Sequence, residues 1–281
     1  MLESHKTLPE LQSEYNLTEE NISNYRESGH IRLNAVAKQE EIDIFHKIIN
    51  DEVERLNYQT KPLNERDTYG KAFIQIGQLR EKSEQVRRFV LARRFAKIAA
   101  DLMGVEGVRI FHDQALFKEP GGGHTPWHQD QIYWPLETDK TITMWMPLDE
   151  ISEEMGTMSF ISNSHTTGDL SQNLLKISDE SHNLFDQYIE KQKLEPITYG
   201  AMAAGDATFH SGWTLHSAPH NPTNRMRKTM AIIYYADGAH VTEIGSKERQ
   251  TNLDVCLPGL KPGDLASTSL NPLVYSSKPS V

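Results

Sequence analysis

The chain has 281 residues, of which 37% are hydrophobic and 24% charged, and its formal net charge is -10. This composition excludes a disordered chain, and no apolar run reaches the length of about 18 residues that a membrane span needs. The acidic balance disfavours a nucleic-acid groove, because neutralising phosphates takes a clustered basic surface. The one basic cluster is predicted to be a solvated helix face and consists of Arg87, Arg88, Arg93, Arg94 and Lys97.

The first hundred residues read as helical. The start, MLESHKTLPELQSEYN, lacks the basic-then-apolar order of a secretory signal, so we expect a cytoplasmic protein without a membrane partner. Apolar residues at helical spacing predict helices over 17–28 and 38–56, and Gly29 stands where the first would end. A longer helix is predicted over 81–103, ending at Gly104.

From Val105 onward, short segments rich in β-branched and aromatic residues alternate with Gly and Pro turns. The pattern predicts a mainly β fold with flanking α-helices, either a jelly roll or a sandwich. The predicted strands cover 108–118, 141–149, 157–162, 206–211 and 228–236.

The length suits one domain over 1–281, although two smaller domains stay open. In the one-domain interpretation, helices occupy about 15–104, the β core about 105–240 and a C-terminal tail 241–281. Residues 163–195 are polar with a helical piece, and we interpret them as an insertion that forms a lid. The Pro- and Ser-rich part from 257 is expected to wrap the surface.

Three residues carry the pattern of a metal site. The single cysteine, Cys256, cannot form a thiolate cluster, so nitrogen and oxygen must hold any metal. His128 and Asp130 would share one face of a strand, with Gln129 turned away. Such a pair alone is also typical of a surface turn, but His216 follows 86 residues later in a strand-turn-strand segment. Two histidines and one carboxylate form the facial triad of oxygen-activating Fe(II) sites.

An arginine at the start of the next predicted strand points to an anionic ligand. Arg227 lies eleven residues after His216, and a guanidinium projecting into a barrel is costly unless it meets a carboxylate. A dicarboxylic cosubstrate would fit. Arg225 lies two residues earlier and would face the same side of a strand, so either arginine could be the anchor.

Three sequence blocks together resemble the phytanoyl-CoA dioxygenase family, whose members depend on Fe(II) and 2-oxoglutarate. The resemblance covers about residues 15–275, and its most specific part is the order HxD, distal histidine, then arginine at plus eleven. The blocks are WHQDQIYWP, MWMPLDEISEEMGTMSFISNSH and LHSAPHNPTNRMRK.

The resemblance implies a cupin-like double-stranded β-helix and a set of ligand contacts. His128, Asp130 and His216 would hold Fe(II), and Arg227 would hold the far carboxylate of 2-oxoglutarate. Gln114 and Trp145 match further cosubstrate positions. Ala218 stands where relatives often have serine, so that hydroxyl contact is missing or comes from Ser217 or Thr143.

The reaction implied is hydroxylation of a small, partly apolar molecule with O2, releasing succinate and CO2. Because Asp130 keeps the carboxylate that related halogenases replace with a small residue, hydroxylation is favoured over halogenation. The sequence shows no clear site for a coenzyme A phosphate. The candidate substrate contacts are Trp127, Tyr133, Trp134, His210 and Trp213.

Two other functions stay open at this point, and the quaternary state is expected to be a monomer or homodimer. One is a non-redox cupin-like metal enzyme, a hydrolase or isomerase, with the same three ligands. The other is a catalytically silent binding protein of the same fold. Arg227 disfavours the first, and the intact ligand set disfavours the second.

Overall fold

The structure, a computed structural model, describes residues 8–171 and 176–278. Two antiparallel β-sheets form its centre, and helices pack against one face of the larger sheet, which confirms the predicted mainly β fold with flanking helices. None of the helices in these two ranges combines the length and apolar character that crossing a membrane requires.

Most of the strands lie in the second half of the chain. They are β1 (His30–Leu33), β2 (Ile74–Gly77), β3 (Gly107–Lys118), β4 (Thr125–His128), β5 (Thr141–Pro147), β6 (Ser159–Phe160), β7 (Ile197–Thr198), β8 (Ala207–Ser211), β9 (His216–Ala218), β10 (Arg227–Ala236) and β11 (Leu273–Ser276). The larger sheet runs β1-β8-β5-β10-β3-β11, and β2 also pairs with β3. The smaller sheet runs β4-β9-β6-β7.

The helices lie mainly before the β core. They are α1 (Glu19–Ser28), α2 (Gln39–Leu56), α3 (Thr68–Ala72), α4 (Glu84–Val90), α5 (Arg93–Met103), α6 (Asp179–Gln192) and α7 (Lys247–Cys256). Thr18 caps the start of α1, and Gly29 ends it at a φ of 81°, in the left-handed region that glycine adopts without strain.

The single helix predicted over 81–103 is wrong, because the structure breaks it into α4 and α5. Leu91 and Ala92 interrupt it, with Ala92 in an extended conformation. The change of direction lets both helices bury an apolar face, including Phe89 on α4 and Phe95 on α5. No glycine or proline marks the break, so the sequence pattern gave no sign of it.

The break also places one member of the basic cluster in the interior. Arg94 is buried at the start of α5, where its guanidinium donates to Glu41 at 2.6 and 2.9 Å and to backbone carbonyls of Ser13 and Val36. The prediction of a fully solvated basic face is therefore wrong for Arg94.

Two predicted segments differ from the structure. The strand over 157–162 shrinks to β6, because the Ile161 amide turns to the Leu215 carbonyl and Asn163 adopts a left-handed conformation. The tail from 257 does not only wrap the surface: β11 joins the edge of the larger sheet beside β3. Its Tyr275 ring lies under the guanidinium of Arg93.

The predicted insertion over 163–195 lies against the smaller sheet. Phe185 and Ile189 of α6 pack with Trp127 of β4. Residues 172–175, within this segment, lie outside the described residues. A lid function of this segment stays a prediction.

Alternation along the central strands separates the core from the site. On β5, Ile142 and Met144 belong to the core that α2, α4 and α5 complete, whereas Thr143 and Trp145 face the opposite side. Side chains alternate in the same way along β3, and the Gln114 side chain lies on the same side as Thr143 and Trp145. The face turned away from the helices thus carries the polar residues.

Candidate metal centre and binding cavity

A cavity of about 460 Å³ lies between the two sheets. Side chains from β3, β5, β8 and β10 of the larger sheet form one wall, and β4 and β9 of the smaller sheet form another. Its volume lies within the range of small-molecule sites. The predicted residues that line it are Gln114, His128, Asp130, Tyr133, Trp134, Thr143, Trp145, His210, His216, Ser217 and Arg227.

His128 and His216 meet across the smaller sheet. They are register partners, at the end of β4 and the start of β9. The Nδ1 of His128 lies 2.8 Å from the Pro126 carbonyl, and that of His216 lies 2.9 Å from the Thr214 carbonyl. If each Nδ1 carries the hydrogen, each Nε2 keeps a free lone pair for a metal.

Asp130 completes the group. Its Oδ1 lies 3.4 Å from His128 Nε2 and 3.8 Å from His216 Nε2. One ligand atom from each of the three residues falls within 4.8 Å of the others. The chemistry of the donors, two imidazole nitrogens and one carboxylate oxygen, matches the facial triad of non-haem Fe(II) sites.

The backbone reaches this arrangement differently from the expected strand. β4 ends at His128, and Asp130 is the first residue of a 3₁₀ turn, so the two side chains do not share a strand face. Gln129 does turn away, as predicted: its amide donates to the carbonyls of Gly168 and Trp213 and accepts from the Leu170 amide. These bonds tie the turn to its neighbouring loops.

The pKa shifts of His216 and Asp130 are in the directions that suit metal binding. Burial, with the nearby His128 and His210, lowers the pKa of His216 well below its ordinary value. Burial works to raise the pKa of Asp130, but the histidines around it outweigh that effect and hold its pKa well below the usual range. Neutral imidazole and ionised carboxylate are the forms that bind a metal.

Arg227 is a buried cation in the cavity wall. Its Nη1 donates to the Gly156 carbonyl, its Nε has no hydrogen-bond partner, and no carboxylate of the described residues pairs with it. Its guanidinium lies 5.2 Å from the centre of the Trp145 ring. Burial lowers the pKa of Arg227 to about 9, so it stays charged at neutral pH. An unpaired buried charge of this kind fits an anionic ligand.

Arg225 lies outside the cavity. It is exposed, and its guanidinium donates to the backbone carbonyl of Glu150. Of the two arginines that the sequence left open, the structure therefore places Arg227 in the wall. Trp145 lies beside it, and the Gln114 side chain accepts from Gln75 in the same wall.

The predicted substrate contacts divide into two groups. Tyr133, Trp134 and His210 line the cavity, whereas Trp127 packs against α6 and Trp213 lies in the turn before β9. The wall contains further residues that sequence reasoning did not select, among them Asp67, Tyr69, Phe73, Gln75, His112, Met158, Lys176 and Glu248.

Lys118 is a second buried basic side chain beside Arg227. The two are register partners on β3 and β10, and the Lys118 ammonium donates to the Gly123 carbonyl. Burial, followed by the charge of Arg227, lowers the pKa of Lys118 to about 6. Between pH 6 and its unfolded value near 10.5, the unfolded chain therefore holds a proton that the folded chain lacks.

This proton difference gives a pH test. We expect Lys118→Met to gain stability relative to the wild type most strongly below pH 6. The difference in unfolding free energy between the variant and the wild type should shrink as pH rises toward 10.5, by at most about 1.4 kcal/mol per pH unit. Urea unfolding of both ligand-free proteins at pH 6.5 and 8.5 measures it. If the difference in unfolding free energy between the two proteins is the same at both pH values, Lys118 is not neutral in the folded chain.

Comparisons with known proteins support this chemistry. A family model described as phytanoyl-CoA dioxygenase (PhyH) matches residues 25–229. The probable alpha-ketoglutarate-dependent hypophosphite dioxygenase of Stutzerimonas stutzeri is 28% identical over 138 residues, which are 48% of this chain and 47% of that protein. The methylphosphonate hydroxylase of Gimesia maris is 27% identical over 151 residues, 54% of each. The chain thus spans about half the length of these curated relatives.

The fold similarity extends further. The non-heme alpha ketoglutarate dependent carbocyclase SnoK from nogalamycin biosynthesis superposes with a TM-score of 0.76 at 25% identity. The superposition covers 92% of this chain and 97% of that one. Agreement over nearly the whole of both chains confirms the predicted jelly-roll architecture.

Proposed function

We propose that this chain, which belongs to the phytanoyl-CoA dioxygenase family, is an Fe(II)- and 2-oxoglutarate-dependent dioxygenase that hydroxylates a small organic molecule. One observation carries the proposal: a single cavity contains both a His-Asp-His triad and a buried arginine that no described carboxylate pairs. A metal enzyme without an anionic cosubstrate would leave that charge uncompensated.

The residues present fit both groups. His128, Asp130 and His216 would hold the metal through three ligand atoms and leave positions open for other ligands. Arg227 would hold the far carboxylate of 2-oxoglutarate with its paired donors. Gln114, Trp145 and Ser217 line the same cavity and are proposed as further cosubstrate contacts.

When bound, the iron with 2-oxoglutarate and O2 supplies the oxidising power that converts a substrate C–H into C–OH, giving succinate and CO2. The chain itself positions and shields the reactants. Carbonyls of Pro126 and Thr214 fix the two imidazole rings, and Trp145 packs beside the Arg227 guanidinium. The two sheets line the cavity from both sides and so replace part of the water around the reactants with protein groups.

The cavity wall favours a partly apolar substrate. Trp134 and Met158 contribute apolar surface, while Asp67 and Glu248 contribute carboxylates. Of the described wall residues, Lys176 is the one cation besides Arg227. The two curated relatives are named for hypophosphite and methylphosphonate. We further propose that residues 1–281 form one catalytic domain, which works in the cytoplasm as a monomer or homodimer and binds no nucleic acid.

Anaerobic titration of the purified chain with Fe(II) and then 2-oxoglutarate tests the proposal. We expect a weak visible charge-transfer absorption that requires both additions, and slow succinate formation once O2 is admitted without substrate. The Zn(II)-loaded protein is the control and should give neither signal. Absence of both signals with Fe(II) would leave the hydrolase, isomerase and binding-protein alternatives.

A further inference from the structure

The two oxygens of the Asp130 carboxylate have different surroundings. Oδ1 faces the Nε2 atoms of His128 and His216. Oδ2 points the other way, where the Thr143 hydroxyl donates to it at 3.1 Å and His210 Nε2 lies 3.5 Å away. One oxygen is thus presented to the metal position and the other is held by the larger sheet.

Asp130 needs such support, because its backbone is not part of a strand. It begins a 3₁₀ turn after the end of β4, so no sheet hydrogen bonds fix its direction. A carboxylate on a turn can rotate, and a metal site requires its ligand within a narrow range of angles. Side chains from a rigid element can supply that orientation.

Thr143 and His210 come from such an element. They are register partners on the neighbouring strands β5 and β8, both of which are paired on two sides within the larger sheet. The His210 ring is held between the Phe160 ring, with centroids 5.5 Å apart, and the His216 ring, with centroids 4.4 Å apart. Its position is therefore set by packing.

The nitrogen atoms of His210 are unusual for so buried a residue. Both are covered from solvent, and neither has a hydrogen-bond partner. Leaving a buried polar group unpaired is unfavourable. The Asp130 Oδ2 atom, 3.5 Å from Nε2, is at the outer limit of a hydrogen bond, and closing that gap would pair this one of the two nitrogens.

We infer that Thr143 and His210 are positioning residues that together hold Asp130 Oδ2 and so aim Oδ1 at the metal. The inference rests on the proposed function, since it concerns the same metal. It replaces the roles expected from sequence, a cosubstrate contact for Thr143 and a substrate contact for His210. Neither residue is assigned a contact with the reactants.

Cobalt(II) binding to the metal-free protein tests the inference without any turnover. We expect His210→Ala and Thr143→Val each to raise the Kd for Co(II) by roughly 10–100-fold, the usual effect of losing support for a metal ligand. The ligand-field absorption of the bound cobalt should shift as well. His210→Gln and Thr143→Ser each retain a donor and should recover part of the affinity.

A matched control comes from the neighbouring strand. His30 is the register partner of His210 on β1, is also buried, and bonds to Tyr199 and Ser162 instead of Asp130. His30 also stacks on the Phe160 ring that packs against His210, so this variant tests packing without any bond to Asp130. His30→Gln should leave the Kd for Co(II) within about twofold of the wild type.

Unchanged cobalt affinity in Thr143→Val overturns the inference, and because this variant is nearly isosteric the test does not depend on the folding of His210→Ala. Unchanged affinity in a folded His210→Ala, as judged by its Tm, would overturn the role of His210. A wild-type chain that binds no cobalt would instead remove the proposed function itself.

Discussion

Replacing Arg227 by leucine is expected to raise the 2-oxoglutarate concentration needed for half-maximal succinate formation by roughly 10²–10³-fold. Removing one partner of a buried ion pair costs about 3–5 kcal/mol, and each 1.4 kcal/mol is tenfold in binding. Metal affinity should stay within about twofold, because Arg227 does not contact the triad. The measurement is succinate release against cosubstrate concentration, with Co(II) titration beside it.

The ligand-free protein should not lose stability in the same variant. Arg227 has no ionic partner among the described residues, so its burial is a cost that leucine removes. We therefore expect Arg227→Leu to keep or raise the Tm of the ligand-free chain and to respond less to added 2-oxoglutarate. Stabilisation of the wild type by the cosubstrate follows from binding to the folded state.

Arg225→Leu is the matched control, two residues away in the sequence and exposed. Its guanidinium contacts only the Glu150 carbonyl among the hydrogen bonds of the described chain. We expect its half-maximal 2-oxoglutarate concentration to stay within about twofold of the wild type. The reverse result, with the loss in Arg225→Leu and none in Arg227→Leu, would show that the anchor is Arg225.

The chemistry of this site could be predicted from sequence because few residue types can perform it. An iron ligand must be an imidazole or carboxylate here, and a carboxylate anchor in a barrel is best provided by arginine. His128, Asp130, His216 and Arg227 therefore stood out by type and order. The structure brings all four into one cavity wall.

Other wall residues had no comparable signal. Tyr69 belongs to the short helix α3 and Gln75 to β2, an element that pairs with β3 across about forty residues of sequence. No local pattern predicts that pairing, because it depends on where the chain returns. The wall on that side could be found only from the structure.

Strand alternation would have improved two other predictions. His112 shares a face of β3 with Gln114, which the family resemblance had placed in the site, so strand alternation places His112 in the wall as well. Trp127 immediately precedes His128 on β4, and adjacent strand residues point to opposite sides. Its packing against α6, away from the cavity, follows from that rule.

The break in the predicted helix over 81–103 and the burial of Arg94 were not predictable from strand or helix periodicity. The stretch around Leu91 has the composition of a helix, and only packing against α2 and the larger sheet selects two shorter ones. Intrinsic propensity is a weak determinant when tertiary burial opposes it. Features that depend on one residue type were predictable, and features that depend on competing packing were not.

Asp130→Ala is expected to reduce succinate formation by at least about 10³-fold, because the metal supplies several kcal/mol of the catalytic effect and loses its one charged ligand. The Kd for Co(II) should rise far more than in the Thr143 and His210 variants, since a ligand atom is removed instead of its support. Asp130→Asn, which keeps the shape of the side chain without its charge, should lose nearly as much succinate formation and Co(II) affinity as Asp130→Ala.

The control for Asp130 is a cavity carboxylate outside the triad. Glu248 on α7 lines the same wall but is absent from the three-ligand group. Glu248→Gln should therefore bind Co(II) as the wild type does. Any effect of this variant on turnover would indicate that Glu248 contributes to substrate binding. Because the His128 and His216 imidazoles remain in Asp130→Ala, weak residual metal binding is consistent with the triad. Wild-type cobalt affinity in Asp130→Ala, together with undiminished succinate formation, would mean that the carboxylate is not a ligand and that the metal is held elsewhere.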